Sequence, residues 1–385
     1  MKACFLAIVM MLFCFTDTAS AKEKIHALYI PLADHYAAAV VAHARYRSEM
    51  KHCDYSVQMM KSWPALRGKF TADQADAAFI ICPMALDMFA ENPDFRFVSL
   101  VHRDGNALAV NSVLSARIKL AEKRIDRKPL PDTALAMSDW KKETGITSIC
   151  AVPSLLATHT VVLYKYLKDH GVTMSVGKGE ADVMARAVPP PKSPDFLQLQ
   201  AESGKAASFE QSLPWADVVE TGGYGKITWY SKDVIPWKHG HVECIMIAKD
   251  STIRDKKEAL RELIYYIHKA GRDIDSAREA GGDALQNIAE LISTYIPLHK
   301  PEVIVQSLRS DLNVINYSNL NTDKPGLELI MNLALEGGIL KKRVSLDDFT
   351  DESFSTDITK TDVPFPQDTS ETPDSRPLSD IKEEE

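Results

Sequence analysis

The chain has 385 residues, 45% hydrophobic and 25% charged, with a formal net charge of −8. These proportions allow two ordinary folded domains and exclude a fibrous or wholly disordered chain. No basic stripe interleaved with aromatic residues occurs, which excludes nucleic acid as the partner.

Residues 1–21 stand apart from the rest. Lys2 gives a positive start, residues 3–15 form an apolar run, and Ala19-Ser20-Ala21 is a small-residue cleavage site. The run is too short to span a bilayer and has the pattern of a secretory signal peptide. Export and cleavage after Ala21 are expected, giving a periplasmic protein. No later apolar run is long enough to cross a membrane.

The following segments alternate. A strand is predicted over 25–30, then a loop holding Asp34, His35 and Tyr36, then an alanine-rich helix over 37–50 for which Asp34 is a candidate N-cap. A second strand covers 55–60. In Lys61–Pro83, Ser62 can cap a helix with Pro64 in its first turn, and Leu66 and Phe70 share one face. Residues 77–82 are an unbroken small-apolar run, suited to a strand buried on both faces of a parallel sheet. Residues 84–89 open another helix. This order puts Trp63 near the carboxyl ends of the strands, where open α/β sheets bind ligands.

Strands over 95–102 and 107–111 flank Arg103-Asp104-Gly105-Asn106, a turn signal. A charged surface helix is predicted over 113–128 and a short one over 138–144. A strand at 147–152 starts a second alternating set, followed by a helix from Ser154 to about residue 170, ended by Gly171. Strands at 183–188 and 207–210 and a buried strand over 241–248 follow, with helices at 194–206 and from Pro214. The C-terminal part is helical: 252–271, 273–295 interrupted at Gly281-Gly282, 301–308 and 326–336. From residue 347 onward thirteen Asp or Glu face three Lys or Arg, a net of −10. Residues 1–21 are neutral, so the body carries about +2. That tail, rich in Ser, Thr and Pro, has a disordered composition.

Candidate chemistry is sparse. His159 lies near the start of its helix, where the dipole favours a neutral imidazole that donates one N–H. His239 and His241 flank Gly240. The four cysteines after the leader, Cys53, Cys82, Cys150 and Cys244, are isolated, and those in apolar runs read as buried free thiols. No cysteine or histidine spacing points to a metal, so neither metal nor cofactor is expected. There is no nucleophile elbow, P-loop or dinucleotide frame. The residues describe a ligand binder and no enzyme.

Several pieces resemble one family: Lys61-Ser62-Trp63, Asp76-Ala77-Ala78, Pro83-Met84, Gly105-Asn106-Ala107, Thr158-His159 with Leu163 and Tyr166-Leu167, Val188-Pro189-Pro190-Pro191, and Pro214-Trp215. In order and spacing they are similar to the solute-binding proteins of ABC importers for nitrate, bicarbonate, sulfonate and taurine, a group that includes binders of thiamin-pyrimidine precursors. The resemblance implies an α/β, two-lobed periplasmic-binding-protein fold of type II-like form. One lobe would comprise 22–112 and 243–346 and the other 113–242, with a ligand cleft between them and a disordered tail over 347–385. It implies capture of a small solute, expected to be anionic, by a monomer that presents it to an ABC permease in the inner membrane. It also implies ligand contacts at Trp63, Asn106 and His159, and at the backbone near Ser212. Asn106 stands where the nitrate binders have Gln. Their Lys falls near Val242, beside His239 and His241, and the bicarbonate binders' Glu falls near that point, next to Glu243. Asp34, His35 and Tyr36 would line the mouth. Two other readings are a periplasmic sensor module feeding a membrane signalling protein and, further off, an enzyme related to thiamin-pyrimidine synthesis.

Overall fold

A computed structural model describes residues 21–356. The expected signal peptide up to residue 20, and the tail from 357, lie outside the described residues. Two sheets organise the molecule. The first has the order β2-β1-β3-β12-β4, built from β1 (Glu23–Tyr29), β2 (Cys53–Met59), β3 (Ala77–Ile81), β4 (Phe95–Leu100) and β12 (Cys244–Lys249). β1 pairs in parallel with β2 and β3, and β12 runs antiparallel to β3 and β4. Every residue of β3 is buried, as a run with no polar face requires.

The second sheet has the order β11-β6-β10-β7-β9-β8. Its strands are β6 (Asn106–Val110), β7 (Ser148–Val152), β8 (Met174–Val176), β9 (Val183–Ala187), β10 (Ala207–Ser212) and β11 (Lys226–Tyr230). A two-stranded ribbon, β5 (Arg103–Asp104) with β13 (Ile315–Asn316), sits where the chain leaves the first sheet for the second. The chain returns through residues 231–243 to β12. The passage into the second sheet therefore comes earlier than residue 112, because β6 already pairs there with β10 and β11.

The helix Trp63–Thr71 forms as expected: the Ala65 amide donates to Ser62 Oγ at 3.3 Å, and Leu66 and Phe70 are buried. Past Gly281 the chain goes from one long helix, Lys257–Ala280, into another, Gly282–Tyr295, with Gly281 at φ 65° making the break.

Three expectations fail for physical reasons. The surface helix over 113–128 is only Ser112–Ser115, capped by Asn111, followed by irregular chain with one 3-10 turn, Arg124–Asp126. Arg124 and Arg127 are instead drawn into ion pairs with Asp217 and Glu220, so tertiary pairing overrides local propensity. The segment before β2 is a tight 3-10 turn, Ala33–His35, then a π-type helix, Tyr36–Tyr46, and the Asp34 side chain makes no cap. The tail does not begin at 347. Leu346–Phe349 is a helical turn, and Phe349 is buried against Phe89, Phe95 and Phe97. The Asp351 amide then donates to the Phe97 carbonyl at 2.9 Å.

Candidate functional site

The polar side chains that the sequence scatters meet where the edges of the two sheets face each other. From the first sheet come Asp34 in the turn after β1, Trp63 at the helix start after β2, and His102 just past β4. Because β12 is antiparallel to β3, with Cys244 opposite Ile81, its first residue lies at the same edge. The Cys82 amide donates to the Glu243 carbonyl at 3.1 Å, which fixes Glu243 beside it. From the second sheet come Asn106 and Ser212, which are register partners across β6 and β10. Thr158 and His159 arrive on the first turn of the helix Thr158–Asp169. All of these residues are buried, with Trp63 at 1% exposure and the remainder at 0%.

Ser212 joins the two sides. Its hydroxyl donates to Asp34 Oδ2 at 2.7 Å, and His159 Nε2 lies 2.8 Å from Ser212 Oγ itself. With the hydroxyl proton turned to Asp34, His159 Nε2–H is the donor and Nδ1 the acceptor. That Nδ1 lies 3.1 Å from Glu243 Oε1, and Asn106 Nδ2 donates to the same carboxyl oxygen at 3.3 Å. Backbone adds to the junction: the Ala33 amide donates to the Leu213 carbonyl and the Leu213 amide to the Gly105 carbonyl, each at 3.0 Å.

Burial sets the charge states. It raises Asp34 to about 7, against the lowering effect of the Ser212 bond. It raises Glu243 well above the usual range, reinforced by Asp34, and does the same for Glu210, reinforced by Glu243 and Asp34. It lowers His159 to about 3 and His35 to about 4. His102 is pushed well down, first by burial and then by His35, His241 and His159. Both shifts oppose the charged forms at the His159–Glu243 contact. The Cys82 and Cys244 thiols are held well up by burial, which suppresses the thiolate a nucleophile would need.

Many of these polar atoms have no hydrogen-bond partner in the protein. They include Asp34 Oδ1, both ring nitrogens of His102, Asn106 Oδ1, His159 Nδ1, Glu243 Oε2, both Glu210 carboxyl oxygens and Trp63 Nε1. Buried polar groups are satisfied in the great majority of native structures, so this concentration stands out among the described residues. Among the described residues, no lysine or arginine is hydrogen-bonded or ion-paired to Asp34, His102, His159 or Glu243. Arg103, next to His102, turns instead to Asp323 and to the carbonyls of Asn319 and Gly240. Two sets of potential metal-ligating side chains occur, Asp34, His102 and Cys244, and Asp34, His159 and Glu243, with ligand atoms within 4.8 Å of one another in each.

Of the residues expected at the site, Asn106, His159, Ser212 and Asp34 come together through Ser212 and Glu243, and Trp63 is buried against His35. His35 is adjacent, its ring edge-on to Trp63 at 6.0 Å and its Nδ1 2.7 Å from the Ile30 carbonyl. Tyr36 turns away, its hydroxyl 2.8 Å from His299 Nδ1. His241 is buried at the margin, with its backbone amide donating to Asp104 Oδ1 at 2.9 Å. His239 is exposed, at φ 67° in a turn, and takes no part. Sequence reasoning missed His102, Cys82, Cys244, Thr158 and Glu210 and gave Glu243 only a place in the alignment. The one local signal was polar residues inside or just past buried strands, as in Glu210-Gln211. An open depression of about 670 Å³ bordered by Phe89, Arg96, Lys342 and Asp347 contains none of these side chains.

The model of the NMT1-like family matches residues 18–293. No curated protein sequence matches. Among solved structures, the chain is similar to the periplasmic nitrate-binding protein NrtA from Synechocystis PCC 6803, with TM-score 0.70, 14% identity, and 87% of each chain covered. It is similar to the zinc-bound ligand-binding component of an ABC-type import system from Staphylococcus aureus, with TM-score 0.66, 16% identity, 86% of this chain and 98% of that one. It is also similar to the alkanesulfonate-binding protein SsuA from Xanthomonas axonopodis pv. citri bound to MOPS, with TM-score 0.63, 10% identity, 86% and 99%. The shared architecture is the periplasmic-binding-protein fold.

Proposed function

This chain belongs to the NMT1-like family, and from that premise we propose that it is the exported solute-binding component of an ABC importer. It captures a small solute between two lobes and presents it to a permease in the inner membrane. The lobes are 22–104 with 243–356, and 106–242. The observation that carries this reading is the ring of buried polar atoms without protein partners, contributed by both sheets and tied across by Ser212 and Asp34. A ligand that bonds to both sides favours the closed form by its differential affinity for it. Trp63 walls the site, and Asn106 and His159 offer polar contacts. The leader directs the chain to the periplasm, where it works as a monomer and does no covalent chemistry.

The similar structures include a nitrate-binding protein, one with zinc bound and one bound to MOPS, so the fold does not choose the solute. The lining here holds carboxyls and imidazoles and no paired lysine or arginine. A small anion would depend on imidazoles that burial keeps neutral. The lining therefore suits a cation or a hydrogen-bond donor better than the anion the sequence resemblance implies. A thermal-shift screen of the purified protein tests the binding role, using metal ions, nitrate, bicarbonate, sulfonates and pyrimidines. At least one class should raise the melting midpoint, and the Trp63→Ala, His159→Ala double variant should abolish the rise. No shift with any class, using protein shown to be ligand-free, contradicts the reading.

A further inference from the structure

We propose that the ligand of this junction is a divalent transition-metal ion of the zinc class, held by Asp34, His102 and Cys244. The inference rests on the reading of the junction as a ligand site and names the class of ligand it takes. His102 is fully buried, and among the described residues neither of its ring nitrogens has a side-chain hydrogen-bond partner. Its Nε2 lies 3.7 Å from Asp34 Oδ1, a carboxyl oxygen that also lacks a partner. Cys244 Sγ lies 3.8 Å from Asp34 Oδ2. Metal–ligand bonds of roughly 2.0–2.3 Å to nitrogen, oxygen and sulfur leave tetrahedral ligand atoms about 3.2–3.8 Å apart; each separation falls in that range, the imidazole against one oxygen of the Asp34 carboxyl and the thiol against the other, and one ligand atom from each of the three residues lies within 4.8 Å of the others. One thiol, one imidazole and one carboxyl are a donor set for a borderline ion, unsuited to calcium or magnesium.

The second grouping makes this a closing site. Asp34 is shared with His159 and Glu243, and His159 comes from the helix of the second sheet. An ion on Asp34 therefore has an additional imidazole and carboxyl beside it, one of them from the opposite lobe. The Ser212 hydroxyl, bonded to Asp34 and adjacent to His159, holds these two in place as an outer support. The three primary ligands are 68 and 142 residues apart in sequence, so no local spacing announces them. The ion enters when the lobes part and is enclosed when they meet.

Cobalt(II) is the probe, because a cobalt–thiolate bond gives a charge-transfer absorption that oxygen and nitrogen ligands do not. The purified protein, stripped with a chelator, should take up one Co²⁺ with that band, and Zn²⁺ should displace it. Cys244→Ser should lose the band and weaken Zn²⁺ binding at least about 100-fold, more than loss of an outer partner. Cys53→Ser, which changes a buried thiol at the start of β2, away from the junction, should keep both. His102→Gln gives a second variant, and circular dichroism of each metal-free variant checks the fold. Absence of metal uptake by the wild-type protein, or wild-type affinity in folded Cys244→Ser and His102→Gln, overturns the proposal. If metal uptake is absent but an organic solute raises the melting midpoint, the metal assignment fails while the binding role stands. If nothing shifts the midpoint, both fail.

Discussion

Ser212→Ala tests whether the junction is as tightly closed as the geometry states. The substitution removes one oxygen and leaves the strand and its volume nearly unchanged. In the native site that oxygen serves two buried groups, Asp34 Oδ2 at 2.7 Å and His159 Nε2 at 2.8 Å. Alanine strands both. A buried polar group left without a partner costs about 1–3 kcal/mol, and Oδ2 keeps only the weak thiol contact from Cys244 at 3.8 Å. The expected loss is therefore about 2–4 kcal/mol, read from urea unfolding of the ligand-free protein with the slope unchanged. A Ser212→Ala, Asp34→Asn double variant should lose less than the sum of the single losses, because the two residues share one bond. A loss for Ser212→Ala under about 0.5 kcal/mol, the scale of a neutral surface change, would refute the closed junction, since hydrated groups would then replace the missing bond with water.

Three further outcomes follow from the same geometry. Phe349→Ala should cost about 3–5 kcal/mol in urea unfolding, because the ring lies fully buried among three phenylalanines, and should make residues 346–356 newly sensitive to limited proteolysis. Gly105→Ala should cost about 1–2 kcal/mol by thermal or urea denaturation: the residue sits at φ 101°, and an added Cβ would lie 3.2 Å from His102 Nδ1 and 3.1 Å from Ile315 Cδ1. His268, bonded to Ser99 Oγ at 2.9 Å, is lowered to about 4 by burial and then Arg272. Below the unfolded value near 6.5 the unfolded chain takes a proton that the native His268 refuses, so this group removes stability as pH falls from about 6.5 to 4, at about 1.4 kcal/mol per pH unit. The raised Asp34, Glu210 and Glu243 carboxyls act with the opposite sign over the same range, so the difference in pH dependence between wild type and His268→Gln isolates the imidazole; equal slopes would contradict its buried neutral state.

The fold was legible wherever one feature dominated locally. The run 77–82 has no polar face, so it could only be a doubly buried strand, and Ser62 with Pro64 marks a helix start that puts Trp63 at a sheet edge. Legibility failed where distant groups decided. Residues 113–128 carry helix-forming charges, yet Arg124 and Arg127 are committed to Asp217 and Glu220 across 93 residues. β11 follows a glycine-rich loop and alternates too briefly to stand out, and it forms because β6 offers an edge. The start of the acidic tail hides Phe349 and Phe354, two rings among many charges, and composition averages them away.

The site divides along the same line. Trp63, Asn106, His159 and Ser212 stand in segments that a resemblance could align. His102 and Cys244 look like ordinary ends of apolar strands and gain meaning only from what β12 brings opposite β3 and β4. Their isolation in sequence argued against a metal, and the antiparallel return of β12 removes that argument by placing a thiol beside a carboxyl fixed 210 residues earlier. The same placement explains why the junction tolerates so many unpaired polar atoms. Left alone, at about 1–3 kcal/mol each, they would consume much of a domain's stability. A ligand that bonds several of them at once recovers that free energy only when both lobes are in contact with it. Unpaired polarity thus costs stability in the free protein and becomes affinity for whatever closes the cleft, and the Ser212, Cys244 and His102 variants measure the two sides of that exchange separately.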